Sequence, residues 1–330
     1  MPFEESEYNR GDRGTARFPL RFFPPDMYQA WLHRYSILLS AATLFLIIAG
    51  AAVTSNEAGL SVPDWPLSYG KLMPEMKGGV FYEHGHRMVA TTVGFLTTVL
   101  CIWMAFTEKR SFVKKLGFVA LASVIAQGVL GGLTVLYQLP KYVSIAHACL
   151  AQLFFSLTVV FTLLLSRDWV EGKSDGDVVP DAGFPSFRSL AVVVPVMVLA
   201  QLALGAAFRH KAAGVIPHII GAIFVASAVL YEAISILQQY PKHGALNRAA
   251  FTVIGVISGQ LLLGIAAYLT RSEAIETQVI SPMLVLATVA HTALGAVALA
   301  STIYTAVQVR RFVQPAAAVV RRAAANEVAV

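Results

Sequence analysis

At 330 residues the chain is long enough for two ordinary domains, yet its composition fits no soluble one. Charged residues make up 13% and hydrophobic residues 56%, with mean hydropathy +0.65, whereas a soluble domain carries about 25% charged residues. Too little polar surface exists to cover a soluble globule of this size, and the net charge of +6 gives no hint of nucleic-acid binding.

Residues 1–34 read as a polar, proline-containing tail, in which 18–31 mixes Arg21 with Phe22, Phe23, Tyr28 and Trp31, a composition suited to a membrane surface. Apolar blocks of span length follow at 35–53, 88–107, 116–138, 142–165, 189–208, 213–237, 249–270 and 281–307. A helix needs about 20 largely apolar residues to cross the hydrocarbon core, so each block predicts one span. The first block lacks a small-residue cleavage site and does not read as a removable signal peptide. The expected fold class is all-α: a polytopic membrane protein with eight transmembrane helices, arranged as two pseudo-symmetric four-helix bundles in parallel repeat. The boundaries drawn are a cytoplasmic tail 1–34, a first bundle 35–165, a cytoplasmic linker 166–188, a second bundle 189–308 and a cytoplasmic tail 309–330. The linker is acidic and glycine-containing.

Basic residues set the orientation. Of the 25 Lys and Arg, only Lys71, Lys77, Arg87, Lys141, Arg209, Lys211 and Arg271 fall on the side away from the N-terminus. Positive residues stay in the cytoplasm, so both termini are expected there, with the chain multi-pass in the cell (inner) membrane. Cys101 and Cys149 fall inside spans and read as small packing residues.

A Gln-x-x-Leu-Gly pattern recurs at 127–131, 201–205 and 260–264, on odd-numbered spans. Small residues let helices pack closely in lipid, and each Gln can hydrogen-bond across an interface. Histidines recur on the even-numbered spans, at His86, His147, His218 and His291. A single intramembrane histidine is often a hydrogen-bonded structural residue. Four of them near the outer ends of helices running the same way suggest something more. Two facing imidazoles per bundle is what six-coordinate haem iron requires, and helix N-termini favour both neutral imidazole and anionic propionates. Zinc fits less well, because cysteine and carboxylate co-ligands are missing. Arg209 and Lys211, in a short outer loop around His210, read either as a clamp for propionates or as a solvated turn. His33 and His243 read as interfacial, and His84 points away from the face of His86.

The halves differ at one place. Glu83 stands three residues before His86, where Val215 precedes His218, and Arg87 is matched by Ile219. A carboxylate beside an apolar haem pocket is costly unless it has a task such as proton transfer or stabilising a cation. The plainer reading is a Glu favoured by the helix dipole. On the first reading the first bundle is catalytic and the second is a fixed redox centre.

The segment Asn56-Glu57-Ala58-Gly59-Leu60-Ser61-Val62-Pro63-Asp64-Trp65-Pro66-Leu67-Ser68-Tyr69-Gly70, together with Glu83-His84-Gly85-His86-Arg87 and the later histidines, resembles the haem A synthase family over about 35–308. The resemblance implies an enzyme, a membrane-bound oxidoreductase that oxidises a ring methyl of haem o to a formyl group, by way of an alcohol and a hydrated aldehyde, giving haem a for cytochrome oxidase. It implies Glu83 as the catalytic carboxylate and His86 and His147 as ligands of the substrate haem iron. His218 and His291 would then hold a permanent haem b. Arg87, Arg209 and Lys211 complete the candidate cofactor-binding residues. Implied partners are a haem o synthase (a farnesyltransferase) as substrate donor, cytochrome oxidase assembly, an unknown electron acceptor and the lipid bilayer. Homo-oligomers stay open. Many bacterial relatives carry a cysteine pair in the first outer loop, and residues 54–85 here have none. Two rival readings are a bis-haem b membrane electron-transfer protein resembling a quinol oxidoreductase, for which Glu83 has no use, and a repeat-built transporter, which would need broken helices and mid-membrane charges.

Overall fold

The computed structural model describes residues 28–171, 178–317 and 319. Most of the expected membrane-surface segment 18–31, the centre of the acidic linker and most of the C-terminal tail therefore lie outside the described residues. Eight helices are long and apolar enough to cross a membrane. They are α1 (Ala30–Ser55), α2 (Gly79–Thr107), α3 (Ser111–Leu136), α4 (Lys141–Leu164), α5 (Phe187–Arg209), α6 (Ile216–Gln239), α7 (Gly244–Thr277) and α8 (Pro282–Phe312). The chain is thus a helical, multi-pass membrane protein.

Helix ends differ from the apolar blocks where polar residues continue a helix. α2 begins at Gly79 rather than near 88, because its first turns carry Glu83 and Arg87, which hydropathy discounts but an i,i+4 ion pair supports. α7 has 34 residues, about 51 Å of helix, and so overhangs a hydrocarbon core of about 30 Å. α8 runs on to Phe312, past the expected end of its span.

In the first half α1 packs on α2, α2 on α3, α3 on α4 and α4 back on α1; in the second, α5, α6, α7 and α8 close in the same order. That arrangement is consistent with the expected pair of four-helix bundles. The halves meet where α8 lies against α1 and α4, with α5 also on α4. Aliphatic and aromatic residues fill the end of each half on the side of the chain termini, the inner end on the expected orientation, including Leu39, Leu100, Met104 and Phe161 in the first and Phe187, Ile236, Leu246 and Val309 in the second. A smaller cluster of Ile47, Phe155, Ala296 and Ala300 seals the seam. On the inner side Asp181 accepts the Ser186 hydroxyl and the N–H groups of Phe187 and Arg188 at the start of α5. Burial pushes this carboxyl up, but those hydrogen bonds outweigh it and hold Asp181 below the usual range.

The outer half is packed differently, around glycines. A Cβ added to Gly50 of α1 would lie 2.9 Å from Cε1 of His86 on α2. The same contact recurs between Gly205 of α5 and His218 of α6 at 2.9 Å, and between Gly264 of α7 and His291 of α8 at 3.1 Å. Between Gly131 of α3 and His147 of α4 it relaxes to 3.5 Å, ordinary van der Waals contact. Gly128, three residues from Gly131, faces open space. These distances predict a graded series. Gly50→Ala and Gly205→Ala should destabilise by about 1–3 kcal/mol, because a packed ring must shift. Gly264→Ala should cost less, while Gly131→Ala and Gly128→Ala should stay within about 1 kcal/mol of the unaltered protein. Thermal unfolding in detergent measures the order, and equal melting temperatures for all five variants would contradict it.

Candidate functional site

All four histidines lie within the first three turns of their helices, His218 in the first turn of α6, His147 in the second of α4, and His86 and His291 in the third of α2 and α8. Each of these residues is half-buried, with its ring against the neighbouring helix at Gly50, Gly131, Gly205 or Gly264. His218 Nδ1 also lies 2.9 Å from Gln201 Nε2. The expected glutamine contacts form at two of the three repeats. Gln127 Nε2 donates to the His147 carbonyl at 3.1 Å, and Gln201 Nε2 to the His218 carbonyl at 2.7 Å. Gln260 instead lies against Gly295, one turn past His291.

One of the two expected pairs is brought together in ring contact. His218 and His291 face one another with ring centres 6.3 Å apart and planes at 86°. With metal–nitrogen bonds of about 2.0–2.1 Å, two imidazoles on opposite sides of one ion have ring centres roughly 6 Å apart. The rings therefore fit a single metal ion between them. His86 and His147 are electrostatic neighbours in the first half. Nδ1 of His86, His147 and His291 is buried without a hydrogen-bond partner, and no Nε2 of the four has one among the described residues. Among those residues no group of three or more His, Cys, Asp and Glu could hold a metal ion, so the pairs have no carboxylate or thiolate co-ligand. That donor set suits a metal whose remaining ligands come from a macrocycle.

Above the first pair, residues 56–78 fold back onto α2. Glu83 is buried at 4% exposure, and both its oxygens are engaged: Oε2 accepts the Val62 N–H at 2.9 Å and Oε1 accepts Arg87 at 2.7 Å. Arg87 in turn donates to the carbonyls of Asp64 and Leu67 at 2.8 and 2.9 Å. The Ser68 hydroxyl meets His84 Nδ1 at 2.8 Å, which accounts for His84 facing away from the histidine pair. Asp64 accepts the N–H groups of Gly70 and Tyr69. Chiefly the Gly70 bond, with Tyr69 and Arg87 assisting against burial, holds its carboxyl below the usual range. Trp65 packs so closely on Gly132 of α3 that no side chain could stand there. The second half has only the turn 210–215 at this place.

Arg209, at the end of α5, donates to Ser55 Oγ of α1 at 2.6 Å. Burial first, and the Arg209 charge second, push His210 below the ordinary histidine range. Lys211 is exposed, at a positive φ of 55° in the turn. His33 and His243 have structural partners: Tyr28 OH lies 2.9 Å from His33 Nδ1, and His243 Nδ1 caps α7 by accepting the Leu246 N–H.

Three residues escaped the sequence reading. Gly50 is the α1 counterpart of the repeated glycines, hidden because Leu46 stands where the others have Gln. Arg271 of α7 lies beside Arg209, with its guanidinium 5.5 Å from the Phe208 ring centre. Glu232 is buried at 3% exposure in α6 with Oε1 unpartnered, about 21 Å along the helix from His218.

Comparison with known proteins agrees with this geometry. A family model described as cytochrome oxidase assembly protein (COX15-CtaA) matches residues 73–218, a stretch that contains Glu83, His86, His147 and His218. The heme A synthase of Symbiobacterium thermophilum is 29% identical over 184 residues, 55% of this chain and 60% of that protein. The heme A synthase of Alkalihalophilus pseudofirmus is 29% identical over 138 residues, 41% of this chain and 46% of that protein. That of Shewanella oneidensis is 28% identical over 197 residues, 54% and 56% respectively. The chain spans about half the length of the curated relatives it matches. A family model and several curated relatives thus point the same way, and over these stretches the chain is similar to heme A synthases.

Proposed function

We propose that this protein is a membrane oxidoreductase that converts haem o to haem a, with His86 and His147 holding the substrate haem and His218 and His291 holding a permanent haem b. The observation that carries the reading is the 6.3 Å opposition of His218 and His291, rings without a carboxylate or thiolate co-ligand, repeated as a histidine pair in the first half. Turning a methyl into a formyl group removes electrons, and a second haem would supply a redox centre to carry them away. The protein's own residues hold, orient and polarise. The 56–78 loop, tied to Glu83 and Arg87, covers the first pair and limits its access to water. Because Arg87 and the Val62 N–H occupy both oxygens of Glu83, the carboxylate serves as a fixed negative charge that stabilises positive charge developing at the methyl carbon. Arg209 serves the second haem from the outer interface. The distribution of basic residues supports both termini in the cytoplasm of a cell with this protein in its inner membrane. A haem o-producing farnesyltransferase is the partner this chemistry calls for upstream, and cytochrome oxidase assembly is the destination of the product.

Two experiments test this reading. Replacing His218 or His291 with Ala should abolish the low-spin haem b spectrum while protein still accumulates in the membrane. Full bis-histidine spectra in both variants would remove the ligand assignment. Glu83→Gln should still bind both haems, yet make haem a about 10²–10³-fold more slowly and accumulate haem o or its alcohol, as extracted-haem chromatography would reveal. Near-normal haem a output would reduce Glu83 to a loop anchor. Haem b alone in the unaltered protein, co-expressed with a haem o-producing enzyme, would favour the electron-transfer reading.

A further inference from the structure

The outer end of the seam between the two halves holds positive charge with no ion-pair partner among the described residues. Arg209 and Arg271 are neighbouring, half-buried guanidinium groups. Arg209 makes a single hydrogen bond, to Ser55 Oγ at 2.6 Å, and Arg271 makes only its approach to the face of Phe208. Neither has an ion-pair partner among the described residues. The carboxylate that acts on Arg209, Glu57, is exposed and not in contact with it. An arginine has five N–H donors and stays charged in proteins. Two of them side by side, partly withdrawn from water, repel each other and leave most of their donors unused, an arrangement that is costly without an anion between them. The guanidinium fork matches a carboxylate in two parallel hydrogen bonds, which a lysine in the same place could not offer.

The position of the pair is as specific as its charge. Ser55, which receives Arg209, is itself 2.9 Å from Thr288 Oγ1 of α8, and both hydroxyl residues are buried. Thr288 lies one turn before His291, on the same side of the helix. Ser55 lies on α1 just beyond Gly50, against which His86 is packed. The braced chain Arg209–Ser55–Thr288 thus runs along the boundary between the two histidine pairs, and the Arg209 charge is felt at His291.

We propose that Arg209 and Arg271 form a carboxylate-binding site in this seam, which takes the propionates of the haem between His218 and His291. The inference rests on the haem reading above and deepens it by naming Arg271 as the second arm of the clamp. The bridge to Ser55 also ties that clamp to the first half, so loss of the anion would loosen the seam as well as the cofactor.

The test uses purified full-length protein and follows haem transfer to excess apomyoglobin, with haem b and with its dimethyl ester, whose propionates carry no charge. Arg271→Gln should speed loss of haem b on the order of tenfold or more, and Arg271→Lys by less. In the unaltered protein the ester should leave about as fast as haem b leaves Arg271→Gln, and Arg271→Gln should add little to that rate. The midpoint potential of the second haem should fall in Arg271→Gln, because a nearby positive charge favours the reduced iron. Unchanged haem b loss and potential in Arg271→Gln, in a protein that holds both haems, would overturn the carboxylate site and leave the haem reading standing. Equal acceleration for haem b and the ester would also overturn it, since the arginine would then act on something other than propionates. A protein that binds no haem in any form would overturn both readings together.

Discussion

The imidazole of each candidate ligand is seated against a glycine of the preceding helix, and the rest of the outer half is arranged around that approach. Without a side chain on the glycine, two helices come close enough for the ring to lie against the neighbouring backbone. In lipid, where apolar burial gives little net attraction between helices, such close packing is a main source of helix association. The same contact fixes where the ring sits against the neighbouring backbone. Packing and ligation are therefore served by one residue choice, made four times. The dry cores at the inner ends hold each half together and leave the outer ends free to be built from small residues and histidines.

Around this shared frame the halves have diverged in what covers them. The first carries a loop of more than 20 residues, tied down through Glu83, Arg87, Ser68–His84 and the Trp65 contact on Gly132. The second is closed by a short turn and by Arg209 reaching across to α1. A loop that can be re-ordered suits a site where a bulky substrate must enter and leave, whereas a tightly closed site suits a cofactor that stays. In this account Glu83 has two duties at once. Its negative charge is available to the proposed chemistry, and the same charge holds the lid in place.

Much of this was legible in the sequence, for physical reasons. Span-length apolar blocks and basic loops on one side are imposed by the bilayer, and histidines on alternate spans are what the proposed haem ligation would require, so they survive as pattern. The Gln-x-x-Leu-Gly repeats revealed three of the four glycine seats. The fourth, Gly50, escaped because only the glycine is required sterically, and α1 has Leu46 where the others carry the hydrogen-bonding Gln. The start of α2 at Gly79 was missed because hydropathy falls at Glu83–Arg87, exactly where an ion pair sustains the helix; that pair depends on a loop whose return to α2 no local pattern records. Arg271 was passed over for a similar reason. It stands near the end of a helix that outruns its apolar block, and its proximity to Arg209 arises only when α7 and α5 are assembled in one bundle.

The proposed function stands most directly on His218 and His291 ligating one iron together. Their planes are nearly perpendicular, at 86°, and ligands so oriented would keep two iron π orbitals close in energy and leave orbital angular momentum unquenched. Electron paramagnetic resonance of the oxidised, haem-loaded protein reads that orientation. The account predicts a low-spin ferric signal of strongly anisotropic form, arising from bis-imidazole ligation with crossed rings. A high-spin ferric signal from this site, or protein that purifies with no haem at all, would contradict it.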